Sequence, residues 1–217
     1  MGARLGILGS GSGSNMAAIA EAVQSGRLPA ELVLVLSDRP DAPLLKEAEA
    51  RGIPTSYLEP GPFQSKLSDN AEHDYIETLR THRVDWVVLA GFMRIIKSAF
   101  LRAFPERIVN IHPSLLPSFP GLNAPRQALQ YGVQVTGSTV HLVDQGIDTG
   151  AIVAQAPVAV KPNDTPEHLH QRIKAIEHEL YPQALADLVT GPLRIEGRQV
   201  TRTSTPTPGS PDPEHHE

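Results

Sequence analysis

The chain has 217 residues, 40% of them apolar, and 19 basic against 24 acidic side chains leave a formal charge of -5. That balance excludes the broad basic face needed by a nucleic-acid binder, so a small, locally recognised ligand is expected. With no cysteine there is neither a disulfide framework nor a thiolate metal site, and the length suits one domain with a substantial core.

The opening MGARLGILGSG has an apolar stretch too short for the core of a signal peptide, and Gly6 stands where a myristoylation signal needs Ser or Thr. No apolar run approaches a membrane span, so a cytoplasmic location without a membrane partner is expected. LGIL from Leu5 reads as the first strand and Asn15 to Gln24 as the first helix. Between them GSGSGSN places Gly9, Gly11 and Gly13 where backbone amides and a helix N-terminus can approach an anion. This is a phosphate cradle or a flexible strand-to-helix turn. It is neither a dinucleotide fingerprint, since no third glycine falls in frame although Asp38 is near the acidic position, nor a Walker loop, which needs a lysine.

LVLVL from Leu32, a helix over Leu44 to Arg51, a polar helix around Asp69 to His82 and WVVLA from Trp86 continue the strand-helix rhythm. Such a rhythm implies crossover connections and a mostly parallel sheet with helices on both faces, which binds ligands beyond the carboxyl ends of its strands. VVLAGFMRII then offers Phe92, Met93, Ile95 and Ile96 beside Arg94, a stretch that by itself also fits a buried strand end with one paired arginine. RIVNI leads into NIHPSLLPSFPG, where prolines stiffen the loop and Leu116-Pro117 is a candidate cis peptide. Asn110 and His112 lie two apart, so in extended chain a carboxamide and an imidazole project to one side, suited to an oxyanion and a proton. His112 also fits a structural role on backbone carbonyls.

STVHLV and AIVAQAPV flank DQGIDTG with no helix between them, which predicts an antiparallel pair after the parallel part. Either Asp144 or Asp148 of that loop can meet His112, raise its pKa and keep it charged, or both serve only as turn residues. His141 reads as a hydrogen-bonded core residue, and histidines 168, 170 and 178 match no metal-ligand spacing. A long helix is expected from about Pro166 to Leu188, capped by Asp164 or Thr165 and bent or divided at Pro182. LRIEGRQV suggests a hairpin turning at Glu196-Gly197. These elements make one domain over 1–200, followed by a proline-rich 201–217 expected to be a disordered tail.

Together GSGSNMAAI, VVLAGFMRI, NIHPSLLPSFPG and GSTVHLVDQGIDTGAIVAQ resemble the phosphoribosylglycinamide formyltransferases of purine biosynthesis, in order and with fitting spacings over about residues 4–190. The resemblance implies an α/β, Rossmann-like formyltransferase fold with an antiparallel C-terminal part. It implies transfer of a formyl group from 10-formyltetrahydrofolate, as co-substrate and without a metal, to the amine of glycinamide ribonucleotide. The family's catalytic trio falls on Asn110, His112 and Asp148. Its acceptor site falls on Gly13, Ser14 and Asn15, completed by Lys174 and Glu177, and its folate site on Met93, Arg94, Ile95, Ile96, Asn110, Asp144 and the loop to Asp148. One departure is Lys66, which stands where the family often has an arginine in a folate-contacting loop. Oligomeric state is open, a homodimer included.

Three other readings compete. A formyltetrahydrofolate hydrolase uses the same trio with water as acceptor, but that family carries an N-terminal regulatory domain not seen here. A methionyl-tRNA formyltransferase needs an added C-terminal domain and a basic face. A non-catalytic nucleotide-binding module explains the glycine loop and leaves the trio as coincidence.

Overall fold

Alternation within the apolar runs decides which face each strand serves. The computed structural model describes residues 2–191 and 193–202. In β1 (Ala3–Leu8), Leu5 and Ile7 face one core, whereas Leu8 faces the other; in β2 (Ala30–Ser37), Val35 opposes Leu34 and Leu36 in the same way. In β4 (Trp86–Leu89), Trp86 and Val88 join the first core and Val87 and Leu89 the second. Side chains that alternate yet are apolar on both sides require a helical layer on each face. Helices α1 (Ser14–Gln24) and α2 (Pro43–Ala50) supply one layer with Met16, Ile19 and Leu44, and α3 (Asp69–Thr81) and α4 (Ser98–Ala103) the other with Tyr75, Leu79 and Phe100. Each fully buried side chain of this size contributes about 1.5–3 kcal/mol.

With β3 (Thr55–Tyr57), β5 (Ile108–His112), β6 (Val135–Leu142), β7 (Ile152–Ala159), β8 (Leu193–Glu196) and β9 (Gln199–Arg202), one nine-stranded sheet forms in the order β3-β2-β1-β4-β5-β6-β7-β9-β8. The pairs from β3 to β5 are parallel, and β5-β6 and β6-β7 are antiparallel, as the glycine-aspartate connection requires. Strand order reverses between β1 and β4. The loops leaving the carboxyl ends of β1, β4 and β5 therefore gather at one crevice.

Several elements depart from expectation. Helix α5 (Ala124–Tyr131) follows the proline loop unannounced, and the short β3 and α4 earlier in the chain are likewise unannounced. Helix α6 (Pro166–Val189) runs undivided through Pro182, whose missing N–H removes one rung; Ile173, Tyr181, Leu185 and Leu188 are all buried, and that packing carries the helix across the gap. Thr165 caps it, its side chain accepting from the His168 N–H at 3.2 Å, while Asp164 pairs with Arg172 instead. The C-terminal hairpin is present, with Gly197 and Arg198 between its strands. Thr201 and Arg202, expected in the tail, end β9, and 203–217 lie outside the described residues.

Candidate active site

The antiparallel register of β5 and β6 sets Asn110 directly opposite His141 and His112 opposite Thr139. Asn110 Nδ2 lies 3.2 Å from His141 Nε2, and His141 Nδ1 lies 2.8 Å from the Leu142 carbonyl. A carbonyl only accepts, so Nδ1 carries a proton, and Nε2 stands between the Asn110 amide and the Asp148 carboxylate. The second amide hydrogen of Asn110 stays available. His141 is buried and hydrogen-bonded, as read from sequence, and it also touches Asn110 and Asp148; the cross-strand register that brings it there is a property of the folded sheet.

The loop after β6 returns Asp148 to this point. Its backbone is left-handed, with φ 55°, and its carboxylate lies 3.3 Å from His112 Nδ1 through Oδ2 and 3.5 Å from His141 Nε2 through Oδ1. The Gly121 N–H donates to Oδ2 at 2.7 Å. Burial works to raise the Asp148 carboxyl, but His141, the Gly121 N–H and His112 outweigh it and hold the group below its ordinary value. It is therefore an anion at neutral pH.

The other nitrogen of His112, Nε2, lies 2.9 Å from the Phe119 carbonyl. Both ring nitrogens face acceptors, which the doubly protonated imidazolium satisfies at once. The ring is buried, as is Ser114 behind it, and Leu116-Pro117 is cis. Asp144 does not reach this cluster. Its Oδ1 accepts from the Gly146 N–H at 3.0 Å and the Thr149 hydroxyl at 2.7 Å, closing the loop on itself.

At the carboxyl end of β1, Gly13 adopts φ 83° and a Cβ there would stand 2.9 Å from Leu44 Cα. Only glycine fits both demands. Helix α1 begins with no side-chain cap and no acidic residue in its first turn, so its free amides at Ser14 and Asn15 suit an anion. Asn15 Nδ2 donates to Glu177 Oε2 at 2.9 Å, and the Ser138 hydroxyl lies 3.4 Å from Glu177 Oε1. Glu177 is thereby a buried carboxylate joining the glycine loop to β6, with Lys174 one turn earlier on α6. His170 is pushed below the ordinary histidine value by burial first, then by the Lys174 ammonium, with Glu177 acting in the opposite sense.

Across the crevice, Met93 and Ile95 are about half exposed and Phe63 stands beside them, while Ile96 is buried among the core side chains of α3 and α4. The Arg94 side chain pairs with Asp38 at 2.6 Å. The acidic residue that dinucleotide-binding proteins use for a ribose is occupied here by that arginine. Lys66 Nζ lies 4.6 Å above the Phe63 ring. Among the described residues no group of three or more His, Asp or Glu side chains is arranged to hold a metal ion, and no helix is long and apolar enough to cross a membrane.

A buried His between a partly buried Asn and Asp beside a crevice, with an anion-binding helix start on the far wall, suits acyl transfer to a phosphorylated amine. The formyl transferase family model matches residues 3–185. The phosphoribosylglycinamide formyltransferase of Bacillus subtilis (strain 168) is 41% identical over 186 residues, covering 86% of this chain and 94% of that one. The trifunctional purine biosynthetic protein adenosine-3 of Drosophila melanogaster is 44% identical over 190 residues, 87% of this chain and 14% of that one. The crystal structure of glycinamide ribonucleotide transformylase 1 from Symbiobacterium toebii has a TM-score of 0.88 at 46% identity, covering 93% of this chain and 94% of that one. By sequence, fold and the order of its motifs, this chain belongs to the formyl transferase family and, within it, to the phosphoribosylglycinamide formyltransferases.

Proposed function

We propose that this enzyme passes the formyl group of 10-formyltetrahydrofolate to the amine of phosphoribosylglycinamide, with Asn110, His112 and Asp148 at the reacting centre. The observation that carries the assignment of roles is the single Asp148 carboxylate in contact with both His112 and His141. The neutral amine attacks the formyl carbon, and the formyl oxygen becomes an oxyanion. Asn110 donates its free amide hydrogen to that oxygen, and the His112 imidazolium donates from Nε2 after leaving the Phe119 carbonyl. One well-placed donor of this kind is worth about 2.7–4 kcal/mol. Collapse breaks the bond to the folate N10, which gains a proton as the amine loses one; His112, or water ordered by Asp148, carries it.

The acceptor's phosphate is held by the amides of Gly13, Ser14 and Asn15 and by the Lys174 ammonium, and Glu177 receives the glycinamide amine. Met93 and Ile95 form the apolar wall for the pteridine. Lys66 offers the folate's glutamate carboxylate a point charge rather than the two-pronged contact of an arginine. A spectrophotometric transfer assay with 10-formyl-5,8-dideazafolate tests the reading. Deformylation that depends on the ribonucleotide and vanishes in His112→Ala is expected, and equal deformylation without the ribonucleotide overturns it in favour of hydrolysis.

A further inference from the structure

The segment 61–67 and the segment 92–96 lie side by side at the mouth of the crevice; Leu67 shares a buried cluster with Phe92 and Ile96, but residues 62–66 have no such anchor. Residues 62–66 are all exposed, and in 61–67 only Leu67 is buried. The ties are polar. Arg94 Nη1 donates to the carbonyls of Phe63 at 2.5 Å and Gln64 at 2.7 Å, and the Ile95 N–H donates to the Ser65 carbonyl at 2.8 Å. Lys66 and Ile95 form an isolated parallel bridge. From the same guanidinium, Nε donates to Asp38 Oδ2 at 2.6 Å, with the Asp38 side chain 1% exposed. Asp38 Oδ1 is buried with no hydrogen-bond partner, so Arg94 is the cation that makes this carboxylate tolerable inside the protein. On the other side of the segment the Met93 N–H donates to the Ser10 hydroxyl at 2.9 Å, which joins it to the glycine loop.

We propose that Arg94 is a positioning residue that builds the folate-binding wall without touching folate, its guanidinium fastening segment 61–67 to the end of β2 and thereby setting Phe63 and Lys66 beside Met93 and Ile95. An arginine is required because one planar group serves a carboxylate and two carbonyls in different directions; a lysine keeps the charge and loses the fork. The folate part rests on the formyl-transfer reading, whereas the fastening of 61–67 does not.

The test uses the full chain carrying Arg94→Lys, Arg94→Met or the double change Asp38→Asn with Arg94→Met, the last removing the stranded carboxylate so that folding is preserved. Trypsin cleavage after Lys66 reports the segment directly. Cleavage there becomes roughly tenfold faster in the double variant, and KM for formyl folate rises roughly tenfold, while kcat and KM for the ribonucleotide stay within about twofold. Arg94→Lys falls between the double variant and wild type. Unchanged cleavage with unchanged folate KM overturns the proposal, as does a fall in kcat at unchanged folate KM, which would put Arg94 in the chemistry. Faster cleavage in a protein whose wild type transfers no formyl group supports the fastening and instead removes the formyl-transfer reading.

Discussion

His112 Nδ1 stands 3.3 Å from Asp148 Oδ2 while its Nε2 is held 2.9 Å from the Phe119 carbonyl. The imidazole is therefore pinned from both ends before any substrate arrives. The carboxylate is held by Gly121 and His141 as well as by His112. In the proposed mechanism the Phe119 carbonyl is the contact that yields to substrate.

Asp148→Asn removes the anion but keeps the shape. We expect kcat to fall on the order of 10²–10⁴-fold with little change in ribonucleotide affinity, since general acid-base groups contribute in that range. Steady-state kinetics beside calorimetric binding of the ribonucleotide checks this, and near-normal turnover removes Asp148 from the mechanism.

His141 acts through Asn110. His141→Leu keeps the volume and removes the ring nitrogen that Asn110 meets, so Asn110 loses its orientation. One hydrogen bond of about 1–1.5 kcal/mol corresponds to roughly a tenfold lower kcat. His141→Gln, whose side-chain oxygen can accept from Asn110, should recover part of it. Equal losses in both variants would point to packing alone.

Asn110 and His112 are legible in the amino-acid sequence because they stand two apart at the end of β5 beside the proline loop, whereas the residues alone leave Asp144 and Asp148 open and the fold brings Asp148 to His112. His141 is not legible as a site residue, because its meaning lies in which residue sits opposite it across the β5-β6 ladder. Arg94 reads from its own stretch as a paired arginine and through the resemblance as a folate contact; that its partners are Asp38 and two distant carbonyls is a matter of tertiary packing. The parallel strands are visible as apolar runs, but α5 has only eight residues, starting after a left-handed Asn123, and carries too few turns to show a helical period. Pro182 leaves α6 undivided because local propensity gives way to burial on both sides of it.

Gly13→Ala tests the glycine loop. A left-handed alanine costs about 1–2 kcal/mol, and the added methyl meets the Leu44 backbone, so melting should fall by about 2–8 °C. KM for the ribonucleotide should rise while KM for formyl folate holds. The reverse pattern would move the acceptor's phosphate elsewhere.

Acid stability has an identifiable contributor at the start of α6. The Arg172 guanidinium, followed by the Lys161 N–H, lowers the Asp164 carboxyl from its ordinary 3.8 to about 2. The folded value lies below the unfolded one, so this stabilisation is complete above pH 3.8 and is lost as pH falls through about 2. Asp164→Asn should flatten the dependence of unfolding free energy on pH in that window, measured by urea titration at successive pH values. An unaltered slope would show that the pair contributes nothing.

Between residues 110 and 148 the chain makes β5, crosses to β6 and turns back, and every group assigned to bond making and breaking lies within that one stretch. The groups assigned to the acceptor come from elsewhere, from the first turn of α1 and from α6. Chemistry and choice of acceptor are thus written in separate passages of the sequence. Redesign of the acceptor can proceed by exchanging the two helices' contacts, leaving the formyl-handling passage as an intact, transferable unit.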